Sequence, residues 1–160
     1  MDKPHLPLND DTDYGLCFAC GPRNSAGLHL KFQRADDTVI TTFRGREEHL
    51  GFPGYVHGGV ISALLDEVMS RVPLLEGRWA MTARMILRFH KPVMVGQEIL
   101  AVAERVREMR GFVETTGRVL LPDGELAAEA TGTFKYLGDE ALQEMSADYP
   151  QLSQKWMRGA

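Results

Sequence analysis

Residues 55–70 read YVHGGVISALLDEVMS, which puts two adjacent carboxylates, Asp66 and Glu67, inside a run that is otherwise apolar, with His57-Gly58-Gly59 at its start. The spacing predicts a helix from about Gly58 to Val72. Val60, Ile61, Ala63, Leu64, Leu65, Val68, Met69 and Val72 leave that helix only a thin polar stripe. Helices apolar nearly all round are buried ones. A carboxylate there is costly unless it is paired, hydrogen-bonded or used. Burial raises its pKa and suits it to proton abstraction. At 3.6 residues per turn Gly59, Asp66 and Ser70 share one face, and Glu67 is turned away from it by about 100°. On an ordinary helix such acids face solvent or pair with an arginine, and that plain reading stays with Glu67.

The two glycines at the helix start have a chemistry of their own. The first N–H groups of a helix lack internal acceptors and lie at its positive end. Glycine lets an oxygen approach the backbone closely. Together these are the makeup of an oxyanion site, although HGG alone reads more simply as an ordinary glycine-rich helix entry. Gly58 and Asp66 stand eight residues apart, about 12 Å along the axis. One helix therefore cannot present both to a single small reacting group. If both serve one reaction, two such helices must pack antiparallel about a two-fold axis, which requires at least a homodimer.

The rest of the chain must position this helix. The 160 residues suffice for one domain with a real core. Hydrophobic residues make up 44% and charged residues 25%, within the globular range. A net charge of -4 gives no basic footprint for nucleic acid or for anionic lipid. The start, MDKPHLPLNDDTDYG, has neither the cationic end nor the apolar run of a secretory signal. No apolar run approaches the roughly 18 residues of a membrane span. These features predict a soluble cytoplasmic protein.

Residues 1–14 read as a flexible N-terminal arm, 15–138 as the domain, and 139–160 as a partly helical tail broken at Pro150. Within the domain, alternation at Leu28, Leu30 and Phe32, then DDTVITTFRG, predicts a hairpin turning at Asp36-Asp37. The loop EEHLGFPGYVHGG leads into the helix, which Pro73 cannot continue. Four antiparallel strands follow, the last two joined at Pro122-Asp123-Gly124. In the first of these, Ala83, Met85, Leu87 and Phe89 alternate with Arg84, Arg88 and His90. A curved antiparallel sheet wrapped around one long helix, an α+β arrangement, accounts for this order.

HGGVISALLD, with its acid nine places after the histidine, resembles the hotdog-fold acyl-CoA thioesterases of the phenylacetate-degradation type. CFACGPRNSAGLHLKF, HLGFPGYVHGG and ARMILRFHKPVMVGQ extend the resemblance over residues 15–137. It implies a hotdog fold, a homodimer or dimer of dimers, and hydrolysis of acyl-CoA without metal or other cofactor, CoA being part of the substrate. By position it implies Asp66 as general base or nucleophile, Gly58 as the carbonyl-polarising N–H, His57 as support for the loop or substrate, and Ser70 as a hydroxyl holding water. One base and one oxyanion donor suffice for a thioester, because the thiolate leaves readily. Gly59, Tyr55 and Phe52 are expected to contact substrate, and Arg84, Arg88, Lys91 or Arg110 to meet CoA phosphates, although each cation taken singly is more often a solvated charge.

Two other functions stay open: acyl-CoA binding without turnover, and a hotdog hydratase or dehydratase using His57 and Asp66. Ser62 and Ser70 lack the Gly-x-Ser-x-Gly elbow of a serine hydrolase. Cys17 and Cys20 form a lone CxxC, which would need two further ligands for zinc and has no βαβ setting for redox work. It reads most simply as two small residues in a tight turn.

Overall fold

In the computed structural model, which describes residues 16–148, the apolar helix lies in the lap of a single sheet. Helix α1 runs Gly58–Ser70. Arg71 caps its C-terminus, and a short 3-10 turn follows at Pro73–Glu76, where proline's fixed φ suits a new first turn. The helix therefore ends two residues before the expected Val72. The strands are β1 (Gln33–Ala35), β2 (Thr38–Arg44), β3 (Ala80–Phe89), β4 (Glu98–Met109), β5 (Phe112–Leu120) and β6 (Leu126–Tyr136). They form one antiparallel sheet in the order β1-β2-β4-β5-β6-β3. A second helix, α2, spans Asp139–Asp148. The N-terminal arm and the tail beyond 148 lie outside the described residues.

Leu64, Leu65, Val68 and Met69 of α1 are fully buried against Val113 and Val119 of β5, Ala128 and Phe134 of β6, and Ile99 and Ala101 of β4. Small residues on the strands let the helix sit close. A Cβ added at Gly117 would fall 2.9 Å from Met69 Cγ and 3.1 Å from Leu65 Cδ2. Alternation on β4, β5 and β6 sends every second residue into this core, as period-2 patterning requires.

The first hairpin is shorter than expected. Leu28, Leu30 and Phe32 are buried, but only Gln33–Ala35 pairs with β2. The upstream segment instead bonds to the preceding turn, with Leu28 N–H donating to Phe18 O and Leu30 N–H to Ala19 O. Alternation reported burial there, not strand pairing. Asp36 takes the left-handed turn conformation (φ 54°), which aspartate tolerates. A second departure lies on β3. A register shift between Thr82 and Arg84 makes Ala83 a bulge. Thr82 then pairs with buried Phe134 and faces the helix, while Met85, Leu87 and Phe89 pair with Gly132, Ala130 and Ala128 on that same face. Among the described strands β3 is a sheet edge, and Met81, Ile86 and Phe89 on it are exposed.

Candidate active site

His57 is the N-cap of α1. In its extended conformation (φ -60°, ψ 137°) its ring Nδ1 accepts the Gly59 N–H at 2.8 Å. A cap that accepts at Nδ1 is neutral and carries its proton on Nε2. Gly59 must be glycine here, since an added Cβ would lie 2.9 Å from that Nδ1. The Gly59 N–H is thereby committed to the cap. The Gly58 N–H has no acceptor among the described residues, and the nearest atom to a Cβ on Gly58 would be Phe89 Cζ at 3.6 Å. Of the two glycines, Gly58 is the one with a donor to offer at the positive end of the helix.

That donor opens into a cavity of about 890 Å³. Phe52, Tyr55, Ile61 and Phe89 give it an apolar wall, and His57 and Lys91 also line it. Its size is that of a small-molecule site. The loop that forms it is anchored from below. His57 N–H donates to His49 O at 2.8 Å, and Val56 N–H to Val93 O at 2.9 Å. His49 itself is buried, its Nδ1 accepting the Arg46 N–H at 3.1 Å.

Asp66 stands two turns along the helix and does not line this cavity. It is half-buried, and its Oδ1 accepts the Thr82 hydroxyl at 2.6 Å. Burial raises its pKa above the ordinary carboxylate value, and the Thr82 hydrogen bond opposes part of that rise. Glu67 has a different part. Its Oε1 takes the Arg71 Nε at 3.0 Å and the Arg71 Nη2 at 2.5 Å, and Arg71 is only 5% exposed. Glu67 is thus the counter-ion of a buried arginine, which leaves Asp66 as the acid free for chemistry.

The other expected residues are dispersed. The Ser70 hydroxyl donates back to Glu67 O at 2.8 Å, a helix-internal bond. Ser62 does the same to Gly58 O at 2.8 Å. Alternation with Met85, Leu87 and Phe89 puts Arg84 and Arg88 on the sheet face away from the helix, opposite Thr133 and Glu129 and outside the cavity. Lys91 lines the cavity and pairs with Glu125, and Arg110 lies in the turn between β4 and β5. Thr82 escaped sequence reasoning altogether. Strict alternation gives it the wrong face, and only the bulge brings it to Asp66.

Cys17 and Cys20 are free thiols in one turn. Their sulfurs and a Glu67 carboxylate oxygen lie within 4.8 Å of one another. Arg71, however, already holds Glu67 and reaches Cys20 Sγ at 3.2 Å, so a cation is in place against two of these three donors.

Residues 53–128 match the family model of the thioesterase superfamily. Mouse (Mus musculus) acyl-coenzyme A thioesterase THEM4 is 28% identical over 112 residues, which are 68% of this chain and 47% of that protein. The chain thus spans about half the length of the curated relatives it matches. Two crystal structures share the fold. The thioesterase superfamily protein RHA08564 is 26% identical with a TM-score of 0.68, over 72% of this chain and 61% of that one. Protein smu.793 from Streptococcus mutans UA159, solved bound to acetyl CoA, is 25% identical with a TM-score of 0.61, over 64% of this chain and 82% of that one. With a curved six-stranded sheet around one long helix, the chain takes the hotdog fold of these thioesterases, and the segment that carries Gly58 and Asp66 is the part that is similar to the thioesterase superfamily.

Proposed function

We propose that the protein is an acyl-CoA thioesterase whose working unit is a homodimer. The observation that carries this reading is Asp66, a half-buried carboxylate with a raised pKa and one hydrogen bond, on a helix whose other acid is already paired. The acyl group lies in the apolar cavity at the start of α1, and its carbonyl oxygen accepts the Gly58 N–H. As the carbonyl is attacked, charge builds on that oxygen at the positive end of the helix. Asp66 of the partner subunit takes the proton of the attacking water. The tetrahedral intermediate collapses, the CoA thiolate leaves, and free acid remains. The chemistry draws on no metal or other cofactor.

A second copy is needed because Gly58 and Asp66 are about 12 Å apart along one axis. The unpaired edge of β3 favours that copy, since a long exposed edge with apolar side chains is a template for another strand. Thr82, on this same strand, would then hold Asp66 beside the joint. CoA as carrier is supported by THEM4, an acyl-coenzyme A thioesterase, and by smu.793, solved bound to acetyl CoA, and the acyl group stays open.

The test is thiol release from a panel of aromatic and aliphatic acyl-CoAs, with wild type and Asp66→Asn compared. Turnover of at least one substrate, with a loss of about 100-fold or more in the variant, is the expected result. Binding of acyl-CoA without thiol release from any member would overturn the reading in favour of a binding protein.

A further inference from the structure

The turn at residues 17–21 holds two free thiols that the thioesterase reading does not use. Gly21 N–H donates to Cys17 O at 2.9 Å, closing one helical turn. Residues three apart in such a turn face the same side, so both thiols project together. Cys20 N–H donates to Cys17 Sγ at 3.4 Å, and the two sulfurs lie within 4.8 Å of each other. Rotation about their side-chain bonds is enough to bring them to bonding distance, because residues i and i+3 of a turn have Cα atoms within the span a disulfide bridges. Neither cysteine is fully buried.

Their surroundings give the two sulfurs different roles. The hydrogen bond from Cys20 pulls the Cys17 thiol down to about 6, against the opposing effect of burial. The same bond, with burial, pushes Cys20 up, while the Arg71 guanidinium works the other way. Arg71 Nη2 lies 3.2 Å from Cys20 Sγ, locked in place by Glu67 and stacked over the Phe32 ring at 4.8 Å. Cys17 is therefore the attacking sulfur. Cys20 is the resolving one, with a fixed cation beside it to stabilise its thiolate when it forms. The Glu67–Arg71 pair that holds this cation spans the last turn of α1, which begins one residue after Asp66.

From this placement we infer that Cys17 and Cys20 form a thiol–disulfide exchange site whose co-substrate is the disulfide of a low-molecular-weight thiol. The Cys17 thiolate attacks one sulfur of that disulfide. A Cys17–sulfur bond forms, the small disulfide bond breaks, and one small thiolate leaves. Cys20 gives its proton to that thiolate, attacks Cys17 and expels the second small thiolate. The protein dithiol loses two electrons, and the small disulfide becomes two thiols.

The experiment exposes the reduced full chain to graded ratios of oxidised to reduced glutathione. Remaining thiols are alkylated and the intact mass is read. Wild type is expected to lose both thiols together, to stay uncrosslinked between chains, and to recover with dithiothreitol. Cys20→Ser is expected to hold one glutathione on Cys17. Cys17→Ser is expected to react at least tenfold more slowly under conditions that convert wild type. The inference is overturned if wild type keeps both thiols at ratios where a reference dithiol is fully oxidised. It is equally overturned if Cys17→Ser takes up glutathione on Cys20 as fast as the converse variant does on Cys17, or if the purified chain carries equimolar zinc that blocks both thiols.

Discussion

Replacing Thr82 with valine removes one hydrogen bond and keeps the shape of the side chain. Thr82 donates to Asp66 Oδ1 at 2.6 Å, and that bond is what holds the carboxylate down against burial. Hydrogen bonds to charged groups contribute about 1.5–3 kcal/mol, and this partly exposed one belongs at the lower end. About 1.4 kcal/mol is tenfold in a proton equilibrium. The direction follows from the proposed role. Activity needs the ionised carboxylate, so it is present above the Asp66 pKa and lost as pH falls through it. Removing a bond to the charged form raises that pKa further. The acid limb of thiol release in Thr82→Val should therefore move toward neutral pH by roughly tenfold in proton concentration, with activity largely retained at the alkaline plateau. Thr82→Ser, which keeps the hydroxyl, should leave the limb in place. A kcat/KM profile from pH 4 to 9 measures both. A limb that stays fixed in Thr82→Val, or moves to lower pH, would refute the assignment of Asp66 as the base that Thr82 tunes.

The other expectations rest on single contacts. Asp66→Asn should be at least as resistant to urea as wild type at neutral pH, because a carboxylate whose pKa is raised by folding weakens the fold when ionised; a clear loss of stability would make Asp66 a structural residue. Glu67→Gln takes the Glu67 charge away from buried Arg71, and urea titration should show a loss of about 3 kcal/mol while the folded fraction keeps its thiol-release rate. Gly59→Ala drives a Cβ against His57 Nδ1 and breaks the cap, so it should cost about 1 kcal/mol of stability and raise KM more than it lowers kcat. Gly117→Ala puts a methyl group 2.9 Å from Met69 Cγ and should lower stability by about 1–3 kcal/mol, visible as a lower melting temperature in calorimetry.

Much of this was legible in the sequence because the signals were local. The density of apolar residues from Val60 to Val72 announced a buried helix, and Pro73 marked its end to within two residues. Pro122-Asp123-Gly124 announced the turn between β5 and β6, where Gly124 takes φ 84°. The separation of Gly58 and Asp66 followed from helix rise alone. What stayed hidden depends on residues distant in sequence. The bulge at Ala83 is set by register against β6, so nothing local turned Thr82 toward Asp66. The commitment of Glu67 could be guessed, since Arg71 lies four residues on, but Cys20 is 51 residues from the arginine that reaches it. The competition between Gly58 and Gly59 was decided by the ring orientation of His57, which spacing does not encode.

The strand order also governs when the chain can fold. β2 and β3 flank α1 in sequence, yet they pair with β4 and β6, which are made later. During synthesis the first half of the chain therefore leaves the ribosome with its most apolar segment made and no sheet to receive it. β4, β5 and β6 make a meander of neighbours and can assemble by themselves. β3, made early, has to wait for β6, the last strand. Pairing across such separations is slow, and the waiting segment is exposed to aggregation. Residues 58–89 are thus the segment a nascent-chain chaperone would meet. A ribosome stalled before residue 126 would hold a chain that cannot close its sheet, however favourable the finished fold.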